Sequence, residues 1–148
     1  MKRPSLFAAA IFLLAISCTK QNQVSSVPLN EMLDSAAISM DSITVRFTGV
    51  FVNGPYGAVA GAVSIYQKID KSFQLGLNNI AVSNGPDLHV YLSQERLPVN
   101  FIDLGKLRST TGNQLYEIIG SPDLTAYKYV LIHCQQYNHL FGSAELKK

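Results

Sequence analysis

Tryptophan is absent from this chain, histidine occurs three times, and cysteine only twice, at Cys18 and Cys134. Two cysteines so far apart cannot form a paired-cysteine zinc motif or the attachment site of a c-type haem. There is no Gly-rich phosphate loop and no helix motif with two metal-binding histidines, and neither Ser93 nor Ser143 sits in a nucleophile elbow. A hydrolase is therefore not expected, nor any other enzyme with turnover chemistry of its own. Long apolar runs are missing too. The longest, Leu6 to Ile16, holds 11 residues, which as a helix would span about 16 Å against about 30 Å for a bilayer core, so a permanent transmembrane helix is not expected.

What the first residues do contain is an ordered address. Met1-Lys2-Arg3 is followed by that apolar run and then by Ser17-Cys18, the succession of charged, hydrophobic and small-residue regions of a secretory signal. Ala15-Ile16-Ser17-Cys18 resembles a lipobox, in which the cysteine thiol receives a diacylglycerol before cleavage. The alternative is a plain secretory signal with an incidental cysteine. Several acyl chains on Cys18 would give stable anchoring where a single chain binds marginally. Thr19 follows, and the absence of Asp there points to outer-membrane sorting, so the expected location is the cell envelope, lipid-anchored at Cys18. Taking Lys2 and Arg3 from the twelve basic residues leaves the rest balanced against ten acidic ones. With no basic stripe left to neutralise phosphates, nucleic acid is excluded as a partner.

The expected organisation is a signal peptide over 1–17, a lipidated and flexible tether over 18–42, and one β domain over 43–148. Thr19 to Pro28 is polar enough for a tether. Glu31 to Met40 could make one short helix with Asn30 as its cap. After Asp41, short β-branched and aromatic runs alternate with Gly, Asn, Asp and Pro, the texture of strands and tight turns. Eight strands are expected: Thr44 to Val52, Ala58 to Gln67, Ser72 to Leu77, Leu88 to Leu92, Phe101 to Leu104, Gln114 to Ile118, Lys128 to Cys134 and Leu140 to Leu146. They predict an all-β fold, a single antiparallel β-sandwich or barrel. Asn53-Gly54-Pro55, Asn78-Asn79, Asn84-Gly85-Pro86 and Thr111-Gly112-Asn113 mark turns.

Alternation assigns faces. Leu88, Val90 and Leu92 share a core side, with His89 and Tyr91 on the other; Cys134 lies with Val130 and Ile132, and His133 with Tyr129 and Leu131. Once Cys18 is acylated, Cys134 is the sole thiol, so no disulfide forms within the domain. A thiolate is a nucleophile, metal ligand and electron carrier, whereas a buried cysteine is simply a small hydrophobe. The residues alone leave both readings open.

Several blocks carry a family resemblance. Asn84-Gly85-Pro86-Asp87-Leu88-His89-Val90-Tyr91-Leu92-Ser93, Leu104-Gly105-Lys106-Leu107, Gly112-Asn113-Gln114-Leu115-Tyr116, and His133-Cys134 with Phe141-Gly142-Ser143-Ala144-Glu145-Leu146 resemble the DM-thirteen electron-transfer domain over about Phe47 to Leu146. The resemblance implies a secreted β-rich domain whose cysteine is redox-active. It puts Cys134 in that role, as a bare thiol or as a ligand to haem or metal, with a redox protein as partner. His133 stands where that family often has an aromatic residue. A copper ion held by His89, Cys134 and His139, with Gln135 or Gln136 as weak axial ligand, would resemble cupredoxins. Haem ligation by Cys134 or His133 is equally open. The competing expectation is a non-catalytic β-sandwich module for binding or adhesion at the envelope.

Overall fold

A computed structural model describes residues 23–32 and 43–148. Cys18, the leader and the expected helix from residue 33 onward lie outside the described residues. Among the described residues there is no helix. Nine strands run β1 (Leu29–Asn30), β2 (Thr44–Asn53), β3 (Val59–Gln67), β4 (Phe73–Val82), β5 (Leu88–Ser93), β6 (Phe101–Lys106), β7 (Thr111–Ile118), β8 (Tyr129–Cys134) and β9 (His139–Glu145). They hydrogen-bond into one sheet of order β1-β7-β4-β3-β2-β9-β8-β5-β6, curled into an open half-barrel.

The all-β expectation holds, and of the expected sandwich or barrel the sheet is nearer the barrel: all nine strands join one sheet, so the core fills the inside of a single curl rather than a gap between two sheets. Side chains alternate across each strand, and the inner set forms the core, with Val63, Ile65, Leu75, Leu77, Leu88, Val90, Leu92, Val130 and Ile132 all fully buried. The faces assigned to β5 and β8 hold, with Cys134 inside the same cluster.

The two halves of the sheet meet at one seam, where β2 pairs with β9 through Phe51↔Ala144, Val52↔Ser143 and Asn53↔Gly142. Gly142 permits this close approach, since a Cβ there would lie 3.0 Å from the Val52 carbonyl oxygen of β2 and 2.6 Å from a Val59 methyl of β3. Two expected turns proved to be irregularities inside strands. Asn79 adopts a positive φ of 48° at a bulge in β4 and donates its backbone N–H to the Asn113 side chain at 2.7 Å. The ladder absorbs the kink and continues to Val82. Likewise β7 begins at Thr111 rather than Gln114, because Gly112, at φ 98°, fits beneath the Leu29 carbonyl where a Cβ would come within 1.9 Å of its oxygen.

Strand β1 was not expected, and it is the one parallel member of the sheet, pairing Leu29↔Gly112 and Asn30↔Asn113. The described part of the polar stretch is therefore docked rather than free. Thr110 donates its N–H to the Ser25 carbonyl at 2.8 Å, and Ser109 Oγ donates to the Val27 carbonyl at 2.6 Å. The Arg108 guanidinium forks onto Glu31 at 2.5 and 2.6 Å, and the same carboxylate accepts the Leu115 N–H. Burial works to raise the Glu31 pKa, but the Leu115 N–H and Arg108 outweigh it and hold the carboxyl below its usual range.

Candidate functional site

Cys134 ends β8 directly opposite Leu88 of β5 and His139 of β9. Its residue is 1% exposed and packs in the main core cluster. Thiol chemistry with a solute therefore requires the end of the β8–β9 hairpin to open, the turn that carries Asn138 at φ 53°.

The histidines assigned with it are split. His89 points to the outer face of the sheet, where it pairs across from His133. His139 lies across from Cys134, but its ring stacks on Tyr56 at 3.7 Å between centroids and lies 5.8 Å from Tyr137. Among the described residues no group of three His, Cys, Asp or Glu side chains converges as a metal-binding set. The copper set of His89, Cys134 and His139 is thus not assembled. For haem ligation, Cys134 and His133 are both buried, at 1% and 4% exposure. A groove of about 700 Å³ runs over Val50, Val52, Ala62, Tyr129, Ser143 and Arg96 and is lined by neither residue.

The outer face of β6, β5 and β8 holds a cluster that the sequence reading missed as a unit. Tyr91, 1% exposed, is stacked between Phe101 of β6 at 4.2 Å and His133 of β8 at 5.3 Å. Its hydroxyl accepts a hydrogen bond from Gln135 Nε2 at 3.3 Å. Burial raises the Tyr91 pKa and the Asp103 charge adds to the effect, so the phenol stays protonated.

Beside this stack, His89 Nδ1 lies 2.8 Å from one Asp103 oxygen and 3.1 Å from the other. A bulge between β5 and β6 sets this up: Gly105, at φ 113°, lets its own N–H bond to Asp103 Oδ1 at 2.8 Å while the carboxylate turns onto the imidazole. The Asp103 contact assigns the proton to Nδ1. Nε2 is then left buried without a partner, 3.5 Å from Asp87 Oδ1, and His133 Nδ1 is likewise buried and unpartnered. Lys106, 2.9 Å from the same Asp87 oxygen, holds the Asp87 carboxyl below the usual carboxylate range against the effect of burial. Asp103 thus orients the imidazole so that Nε2 faces the Asp87 carboxylate. The alternation that set His89 and Tyr91 against the core was the signal for this cluster; Asp103 and Phe101 gave none, because the bulge and the stacking are tertiary.

Burial pushes His133 below the ordinary histidine value. The Asn138 side chain acts the other way, and His139 and His89 add to the lowering. The unfolded chain therefore takes up this proton before the folded one does. The His133 contribution to stability is complete above about pH 6.5 and is lost as pH falls from there through the lowered pKa. The expected result is a decline in the denaturation midpoint as pH falls below about 6.5 that is smaller in His133→Gln. An equal decline in both proteins would show that His133 is not its source.

A small all-β domain with one core thiol and an aromatic–imidazole cluster on the opposite face is the class that this geometry defines. The family model for Electron transfer DM13 matches residues 50–146. The chain belongs to that family. No curated protein and no solved structure matches it.

Proposed function

We propose that the chain is an envelope lipoprotein, anchored by acylated Cys18 at the outer membrane, whose domain takes part in electron transfer or redox sensing with a redox protein partner. It has no turnover chemistry of its own, and the Cys134 thiol is the group that changes oxidation state. Membership of the Electron transfer DM13 family carries this reading, the match spanning both Cys134 and the outer-face cluster. The lone thiol in an exported chain agrees with it. Cys134 is sealed in the core, so its oxidation would proceed through local opening of the hairpin end that admits a small peroxide, which transfers one oxygen to Sγ and leaves as water. The resulting sulfenic acid would be reduced again by a dithiol of the redox partner, which becomes a disulfide with release of water.

The test uses protein with Cys18 replaced by serine, so that one thiol remains. Voltammetry should show a redox wave that disappears in Cys134→Ala while the fold, followed by circular dichroism, persists. An identical wave in that variant, or none in the parent, would end the redox reading.

The burial of Cys134 favours a second reading, a non-catalytic binding or adhesion module in which the sulfur fills space. Both readings predict that Cys134→Ser costs about 1–3 kcal/mol, because a hydroxyl would enter an apolar cluster without a designated partner. Only the redox reading predicts that the electrochemical signal goes with it.

A further inference from the structure

The chain enters the sheet at one particular end. Ser25 bridges to Ser109 just before β7 begins, Asn84 Nδ2 reaches the Val24 carbonyl at 3.3 Å, and from there β1 runs parallel to β7 toward the opposite end. The entry end also carries the loop after β2, the loop from β4 to β5 and the turn from β8 to β9, tied together by Gly54 N–H to Phe141 O at 2.7 Å and Gln135 N–H to Asp87 O at 2.9 Å.

Two tyrosines stand out on this end. Tyr56 is 57% exposed and Tyr137 56% exposed, and both lie against the His139 ring. Tyrosine combines an apolar ring with a polar tip, the chemistry enriched at the headgroup level of membranes.

Chain length decides which end meets the lipid. Only residues 19–23 separate Cys18 from clamped Val24, a reach of about 20 Å even fully extended. The opposite end, with exposed Ile69 and Ile119, lies up to about 30 Å further along strands as long as the ten residues of β2.

We propose that the end bearing Tyr56, His139 and Tyr137 is the surface laid against phospholipid headgroups, with the docked segment from Val24 to Glu31 fixing that orientation. The inference rests on the lipoprotein reading of Cys18. The Glu31–Arg108 fork and the β1–β7 pairing resist rotation of the domain about its leash, since turning the far end toward the bilayer would require the segment to peel from β7. The tyrosine rings then settle among headgroups and bring the Cys134 end of β8 to the membrane side.

The chain has no tryptophan, so one introduced tryptophan is an unambiguous reporter. The full chain is expressed with its own leader, extracted from membranes and placed on vesicles of phosphatidylethanolamine and phosphatidylglycerol that contain nitroxide-headgroup lipid. Tyr137→Trp should lose about half or more of its emission, and Ile119→Trp, at the other end, under about a tenth. Both positions are exposed, and circular dichroism checks that each variant is folded. Intact mass reads the premise separately. Acyl mass on Cys18 with Tyr137→Trp quenched no more than Ile119→Trp overturns the orientation alone, whereas absence of acyl mass overturns it together with the lipoprotein reading.

Discussion

Replacing Gln114 by alanine is expected to remove about 3–5 kcal/mol of stability, a large share of what a domain of this size has. Gln114 is fully buried on β7, and its amide closes the loop that precedes the strand. Oε1 accepts the N–H groups of Arg108 at 3.1 Å and Ser109 at 3.3 Å and the Tyr116 hydroxyl at 2.9 Å, while Nε2 donates to the Ser109 carbonyl at 2.7 Å. Truncation leaves the Arg108 and Ser109 N–H groups and the Ser109 carbonyl without this partner, while the Tyr116 hydroxyl keeps the Lys106 carbonyl at 3.2 Å, and each unsatisfied group costs about 1–3 kcal/mol. Gln114→Leu should be little better, because it restores volume without restoring acceptors. Urea midpoints with unchanged slopes would measure the effect; a loss under about 1 kcal/mol would show that the loop finds other partners. The loop also holds the N-terminal segment through Ser109 Oγ, so proteolysis before Leu29 should accelerate in the same variant.

Tyr91→Ala is the second large effect, about 3–5 kcal/mol by the usual cost of emptying an aromatic site. The ring is held on one side by Phe101 and on the other by His133, both from neighbouring strands, with Leu131 and Leu140 in the same small cluster. Its removal opens a hole on the outer face of β5, where the edge strand β6 alone closes one side. Tyr91→Phe should cost under about 1 kcal/mol, since only the long hydrogen bond from Gln135 is lost. Thermal unfolding of the pair separates packing from hydroxyl chemistry. A tyrosine-to-phenylalanine loss as large as the alanine loss would mean that the hydroxyl, not the ring, holds the cluster.

Legibility differed sharply between local and non-local features. Alternation in Leu88-His89-Val90-Tyr91-Leu92 and in Tyr129-Val130-Leu131-Ile132-His133-Cys134 located two strands and both of their faces, because side-chain direction has a period of two whatever the partner. Asn78-Asn79 and Thr111-Gly112-Asn113 misled, because left-handed residues mark bulges as well as turns. Leu29–Asn30 was invisible in a polar stretch, since its place comes from β7 and the Arg108–Glu31 fork rather than from its own composition. Whether eight strands make two sheets or one curled sheet depends on which edges pair, and the β2–β9 seam joins residues far apart in sequence. At the site, Cys134 was located correctly on its strand face, but grouping it with His89 ignored that adjacent register pairs send Leu88 and His89 to opposite sides.

The β2–β9 seam also dictates timing. A polypeptide emerging amino end first can lay down β2, β3, β4 and β7 early, yet β9, His139–Glu145, comes after all of them. Until β9 is in place, β2 has an unfilled edge and the β5–β6 hairpin has no bridge to it, so closure waits for the last strand in chain order. Any oxidant that meets the chain during that interval finds the sulfur uncovered; one that arrives afterwards finds it shut away.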